Sequence, residues 1–334
     1  MATFYGANDP NFQYIGRVDF SNPELPRFWS PGVTVRAKFE GSSCEIQMND
    51  EVMWGKSHNY ITVVIDNQQP QRIKLKEKEN KFMVAENLDD KPHTLLICKG
   101  TEAGIGYLEF VGISVMKLLK PDVLPARRIE FIGNSITCGA GNDTSVFPCG
   151  KGEWYDQNNA YASYGQVTAR LLNAQCVQTS VSGIGLIHSC CNMNRIIFDV
   201  IDKVNLDKKD SPLWNFSKYQ PDVVSIMLGQ NDGIQDSAVF CTVYINFINR
   251  LRVYYPKATI ICVTSPMADE KLVEFLKKSL DAIVANVNQN GDTNVYRYFF
   301  SKRFNQGCGD HPNIAEHAEI AQKLSGFIMK VKNW

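Results

Sequence analysis

The chain has 334 residues, enough for two domains of about 150 residues that each bury a core, and its 35 basic side chains are balanced by 35 acidic ones. With no excess positive charge to hold a polyanion, nucleic acid is set aside as a partner, and with 44% hydrophobic and 11% aromatic residues neither disorder nor a repeat fibre fits. No apolar run approaches the roughly 20 residues of a membrane-spanning helix.

The opening segment, Met1 to Gly6, lacks the basic and apolar regions of a signal peptide, so either the protein stays inside the cell or a signal has been trimmed. From about residue 14 to 118 apolar residues recur with a period of two. Val33, Val35, Ala37 and Phe39 alternate with Thr34, Arg36, Lys38 and Glu40, and after Gly41-Ser42-Ser43 the alternation resumes at Cys44, Ile46 and Met48. Further strand-like runs cover Tyr60 to Asp66, Arg72 to Lys76, Thr94 to Cys98 and Tyr107 to Val115, broken by Asn, Asp, Gly and Pro clusters. This pattern predicts an all-β sandwich over residues 1–120, with the boundary at the Pro-containing stretch Lys120 to Pro125.

Over residues 121–334 short apolar runs alternate with amphipathic helices. The runs are Arg128 to Ile132, Cys176 to Val181, Val223 to Leu228, Ile260 to Thr264 and Val295 to Phe299. Phe240, Val243, Tyr244, Phe247, Ile248 and Leu251 fall on one helical face, as do Leu272, Phe275, Leu276 and Ile283, and the last helix uses Ile314, Ala321, Leu324, Phe327 and Ile328. Five strands each followed by a helix imply a parallel, doubly wound α/β sheet whose ligands bind at the carboxyl ends of the strands.

Three motifs fall at that edge. Phe131-Ile132-Gly133-Asn134-Ser135-Ile136-Thr137 places a hydroxyl after the first strand, where a serine serves either as nucleophile or as a helix cap. The lipase elbow GxSxG is not matched, because Thr137 replaces its second Gly. Val181-Ser182-Gly183-Ile184-Gly185 and Leu228-Gly229-Gln230-Asn231-Asp232-Gly233 follow the second and third strands, where a backbone N–H and the Asn231 amide can converge on an oxyanion. Gly309-Asp310-His311-Pro312-Asn313 precedes the last helix, and an imidazole of ordinary pKa takes a serine proton at neutral pH. His58, His93, His188 and His317 read as surface or satisfied residues. Gly55-Lys56-Ser57 is not a phosphate loop, since Asp50 stands where its first Gly belongs.

These blocks, in this order, resemble those of the SGNH (GDSL-type) hydrolases: Gly133 to Thr137, then Gly183, then Gly229-Gln230-Asn231-Asp232, then His311-Pro312. The chain is more similar still to carbohydrate esterase family 2, which joins an N-terminal jelly roll to such a domain. Gly16-Arg17 with the Phe28 to Phe39 region, Ser135 to Gly141, and Asn159 to Gly165 carry that resemblance. It implies a three-layer α/β hydrolase domain behind a jelly roll, Ser135 as nucleophile, His311 as base, and an oxyanion hole made by the N–H groups of Ser135 and Gly183 and the side chain of Asn231.

The chain departs from the family pattern twice. Asn134 stands where Asp commonly precedes the serine, and the usual positions of the histidine-orienting acid, three and two residues before His311, are Cys308 and Gly309. Asp310 is adjacent in sequence, and neighbouring side chains diverge. The expectation is therefore a Ser–His dyad in which a backbone carbonyl near Gly309 accepts from Nδ1 of His311.

The ten cysteines do not read as a disulfide framework, Cys190-Cys191 is the only close pair, and no spacing suits zinc, so neither metal nor organic cofactor is expected. Trp154 and Trp214 lie in connecting segments of the hydrolase half and are candidates to stack on a sugar ring, a packed core position being the ordinary alternative. The resemblance implies an O-acetyl esterase acting on acetylated polysaccharides or oligosaccharides, such as xylan, glucomannan or 6-O-acetyl hexoses. It also implies secretion to the periplasm, the cell surface or the medium, against the cytoplasm as alternative. A carbohydrate-binding protein with little turnover, or an esterase for another acyl group, are the rival readings; the oligomeric state is not readable.

Overall fold

The computed structural model describes residues 2–66 and 68–334; Met1, at the head of the opening segment, lies outside them. The chain divides into two compact units, one ending at Leu124 and one spanning Pro125–Trp334.

In the first unit the alternating segment forms the strand Thr34–Glu40. Val33, Val35, Ala37 and Phe39 are at most 5% exposed, while Arg36, Lys38 and Glu40 are half-buried on the opposite face. Two antiparallel sheets result. One runs in the order Thr3–Gly6, Leu108–Val115, Cys44–Asp50, Glu79–Ala85, and the other Lys117–Leu119, Thr34–Glu40, Pro92–Lys99, Tyr60–Ile65, Gln71–Lys74. Their apolar faces share one core containing Phe39, Ile46, Met48, Ile61, Ile97 and Phe110. Each such side chain contributes about 1.5–3 kcal/mol relative to leaving it in water.

The second unit is a parallel sheet of β1 (Arg127–Gly133), β2 (Ala174–Ser180), β3 (Val223–Met227), β4 (Thr259–Val263) and β5 (Val295–Tyr298), in the spatial order β2-β1-β3-β4-β5. Its helices are α1 (Ser135–Cys138), α2 (Tyr164–Leu171), α3 (Ile197–Val200), α4 (Ser237–Tyr254), α5 (Glu270–Gln289) and α6 (Ile314–Lys332). Along β3, Val224 and Ile226 face one core with Phe247 of α4 and Leu280 of α5, while Val223 and Met227 face another with Ala169 of α2 and Leu324 of α6. Both faces are covered, which is why the strands read as short, mainly apolar runs without a regular polar alternation. Ile314 departs from the expected helical face. At 41% exposed it sits on the first turn of α6, outside the apolar core, to which the helix contributes Ile320, Ala321, Leu324 and Ile328.

Because β1 lies between β2 and β3, the loops leaving these three strands emerge side by side. The strand order reverses at β1, and open α/β sheets place their ligands at such a reversal.

Candidate active site

The turn out of β1 is set by Asn134. Its side-chain oxygen accepts from Ile136 N at 3.1 Å and caps α1. An aspartate offers the same acceptor, so the asparagine keeps the turn. Ser135 is the first residue of α1, and its N–H belongs to a first turn that has no intrahelical carbonyl to meet. Its Oγ lies 2.7 Å from Nε2 of His311.

His311 reaches that position from a loop held by the start of α6. Asn313 and Glu316 form a reciprocal cap, Asn313 Oδ1 accepting from Glu316 N at 2.9 Å and Glu316 Oε2 from Asn313 N at 3.0 Å. The same carboxylate accepts from Asn305 N at 3.1 Å and Gln306 N at 2.8 Å, which closes the loop. Nδ1 of His311 is 3.1 Å from the carbonyl of Cys308. A carbonyl only accepts, so Nδ1 carries the proton, and in the neutral ring Nε2 is left to accept from Ser135. Burial lowers the His311 pKa below 6.5, and the carbonyls of Cys308 and Gly309 with the Asp310 carboxylate offset part of the shift. The ring is therefore neutral at pH 7. His317 is a buried histidine, half satisfied: Nδ1 accepts from Tyr164 N at 3.0 Å, Nε2 is buried without a hydrogen-bond partner, and burial pushes the pKa down to about 3.

Gly183 holds φ +81°, a backbone conformation that L side chains rarely adopt, and its carbonyl accepts from Cys190 N at 2.9 Å. The loop behind it is fixed by Asp232, which is buried and accepts from the N–H groups of Leu186, Ile187 and His188 at 2.6–3.0 Å. One N–H of the Asn231 amide donates to Ile184 O at 2.8 Å, leaving the second for a ligand. Ser135, Gly183, Asn231 and His311 all line one cleft of about 510 Å³. A larger cavity of about 730 Å³ lies beside α5, among Lys271, Lys277, Lys302 and Arg303, and holds neither the serine nor the histidine.

Of the two tryptophans, Trp154 lines the cleft and is 58% exposed. Trp214 does not; it is 8% exposed and so presents no open face to a sugar. Both stand in loops in the sequence, and only packing separates them.

The cysteines require a correction. Two disulfides are present, Cys149–Cys308 and Cys190–Cys191, and both pairs contribute to the cleft or its rim. The other six cysteines form no disulfide. Nothing local in the sequence marks the first pair, because 159 residues separate its members. Gln157 and Asn158, on the segment carrying Trp154, are further cleft residues that no motif had singled out.

Residues 14–121 match the family described as Carbohydrate esterase 2 N-terminal, and residues 131–299 the GDSL-like Lipase/Acylhydrolase family. A cellulase/esterase, CelE, of Acetivibrio thermocellus is 30% identical over 98% of this chain, which spans 40% of that relative's length. An acetylxylan esterase / glucomannan deacetylase of Cellvibrio japonicus is 27% identical over 98% of the chain and 91% of its own length. Among solved structures, a family two carbohydrate esterase from Clostridium thermocellum in complex with cellohexaose superposes with a TM-score of 0.88, at 30% identity, covering 97% of this chain and 99% of that one.

Proposed function

This chain belongs to carbohydrate esterase family 2, and from that premise we propose that it removes O-acetyl groups from acetylated plant polysaccharides or oligosaccharides by serine catalysis. The observation that carries the reading is the 2.7 Å approach of Ser135 Oγ to Nε2 of a neutral His311, inside a cleft that also holds Gly183 and Asn231. Ser135 attacks the acetyl carbonyl and His311 takes its proton. The oxyanion is held by the N–H groups of Ser135 and Gly183 and the second N–H of Asn231. His311 returns the proton to the departing sugar oxygen, and water then cleaves the acetyl-serine and releases acetate.

Acetylated xylan and glucomannan are the substrates that the names of the relatives favour, with 6-O-acetyl hexoses as a narrower class. Export to an oxidising compartment fits the two disulfides. Acetate release from acetylated xylan, acetylated glucomannan and an aryl acetate tests the assignment and ranks the substrates. Activity on the aryl ester alone would reject these glycans; no release that depends on Ser135 would leave a carbohydrate-binding protein.

Trp154 gives the sugar-specific prediction. An exposed indole that stacks on a pyranose contributes about 0.5–1.5 kcal/mol, as aromatic pairs do, so Trp154→Ala should raise KM for the polysaccharide roughly 2- to 10-fold at unchanged kcat. KM for the aryl acetate should stay level. Equal KM changes on both substrates would place the sugar elsewhere.

A further inference from the structure

We infer that the Cys149–Cys308 disulfide holds the carbonyl that orients His311, a covalent tether in the place of the carboxylate of a serine–histidine–acid triad. The inference rests on the roles given above to Ser135 and His311. Cys308 is three residues before His311, and it is its main chain, through the 3.1 Å contact to Nδ1, that meets the ring.

The turn holding that carbonyl needs external support. Gly309 and Asp310 follow Cys308 with φ of +60° and +59°, and for Asp310 this is a sparsely populated conformation that persists only when surrounding contacts over-determine it. Within the turn Cys308 O accepts from His311 N at 3.3 Å and His311 O from Gly307 N at 2.6 Å, and two constraints tie it to other segments: Cys308 N donates to Gly141 O at 2.8 Å, and the Cys308 side chain is bonded to Cys149. Only glycine at 141 permits the approach, since a Cβ there would lie 2.5 Å from the carbonyl oxygen of Cys308.

The anchor at the other end is firm. Buried Gln157 donates to the carbonyls of Pro148 and Lys151, on either side of Cys149, at 3.2 and 2.7 Å. Buried Asp143 accepts from Asn159 Nδ2 at 2.8 Å, tying the two ends of that loop. The disulfide thus fastens a strained turn to a pinned loop. Cys149 is exposed, so a soluble dithiol reaches the bond. Reduction transfers two electrons and two protons from the dithiol, giving thiols at Cys149 and Cys308 and converting the reductant to its own cyclic disulfide.

Cys149→Ser removes the tether and leaves the Cys308 backbone in the chain. On an aryl acetate it should lower kcat on the order of 10- to 100-fold, the scale of a misplaced catalytic group, while KM changes less than about two-fold. In the same protein the downfield Nδ1–H proton signal of His311, seen by NMR with labelled histidine, should be lost to exchange. Dithiothreitol also reduces Cys190–Cys191, so it is applied to protein carrying Cys190→Ser and Cys191→Ser, where Cys149–Cys308 is the disulfide left to reduce; the same two changes should appear relative to its own oxidised form, reversed on reoxidation, and this reads the proposal if Cys149→Ser does not fold. Native kcat with the signal retained in Cys149→Ser would overturn it. So would a lower melting temperature with kcat and the signal intact, or alkylation of Cys149 and Cys308 in the unreduced protein. If instead Ser135→Ala keeps activity, the reading of the site itself has failed.

Discussion

Ser135→Ala is expected to lower kcat for acetate release by about 10⁴- to 10⁶-fold, with the fold and its melting temperature unchanged. The Ser135 hydroxyl lies 2.7 Å from Nε2 of His311, the approach that a serine nucleophile and its base require. Its removal disturbs little else. α1 is capped by Asn134, and the Oγ bonds His311 alone, so helix and turn persist without it. The residual rate is expected from the two remaining sources of catalysis, substrate positioning and the proposed oxyanion donors: the main-chain N–H at position 135, which the substitution keeps, the N–H of Gly183 and the amide of Asn231. The measurement is acetate production by wild type and variant on the same polysaccharide, alongside thermal melts. A loss of less than about ten-fold would place the nucleophile elsewhere and would remove the reason for reading Asn231 and Gly183 as an oxyanion hole.

The parallel sheet was legible because a strand covered on both faces is mainly apolar. Val223 to Met227 shows the tendency: Val223 and Met227 fill one core, Val224 and Ile226 the other, and Ser225 is the single polar residue of the run. The residues of the candidate site were legible for a related reason. Ser135, Gly183 and Asn231 each follow a strand end, and any sheet that puts β1 between β2 and β3 brings them together. What the sequence could not carry was pairing across long separations. Cys149 and Cys308 have no local signature, and their bond exists because the loop before α2 and the loop before α6 open on the same cleft. Trp154 and Trp214 were equivalent on paper, both in loops, and differ only in what packs over them. Ile314 carried the right period but is the first residue of α6 and stays 41% exposed, because the apolar core takes its side chains from further along the helix.

His311→Ala should abolish turnover to an extent similar to Ser135→Ala, whereas Asp310→Asn should leave kcat within about three-fold. The contrast is the decisive one for the catalytic assembly. Removing the acid of a working triad costs about 10⁴-fold because the histidine loses both its tautomer and its orientation. Here the group facing Nδ1 is a main-chain carbonyl, which fixes the same tautomer without carrying a charge. Asp310 is exposed, and its carboxylate acts on the ring only weakly, through space. The pH profile separates the two arrangements further. A carboxylate partner would stabilise the imidazolium and raise the pKa of His311, moving the acid limb of kcat/KM upward. Burial without such a partner favours the neutral ring, so the pKa falls below 6.5 and activity should be lost only as pH drops beneath that value. Asp310→Asn removes a small stabilisation of the imidazolium and should move the limb slightly lower still. An acid limb above pH 6.5, or a loss near 10⁴-fold in Asp310→Asn, would show that a carboxylate reaches His311 during turnover and that the carbonyl of Cys308 is not the group that orients it.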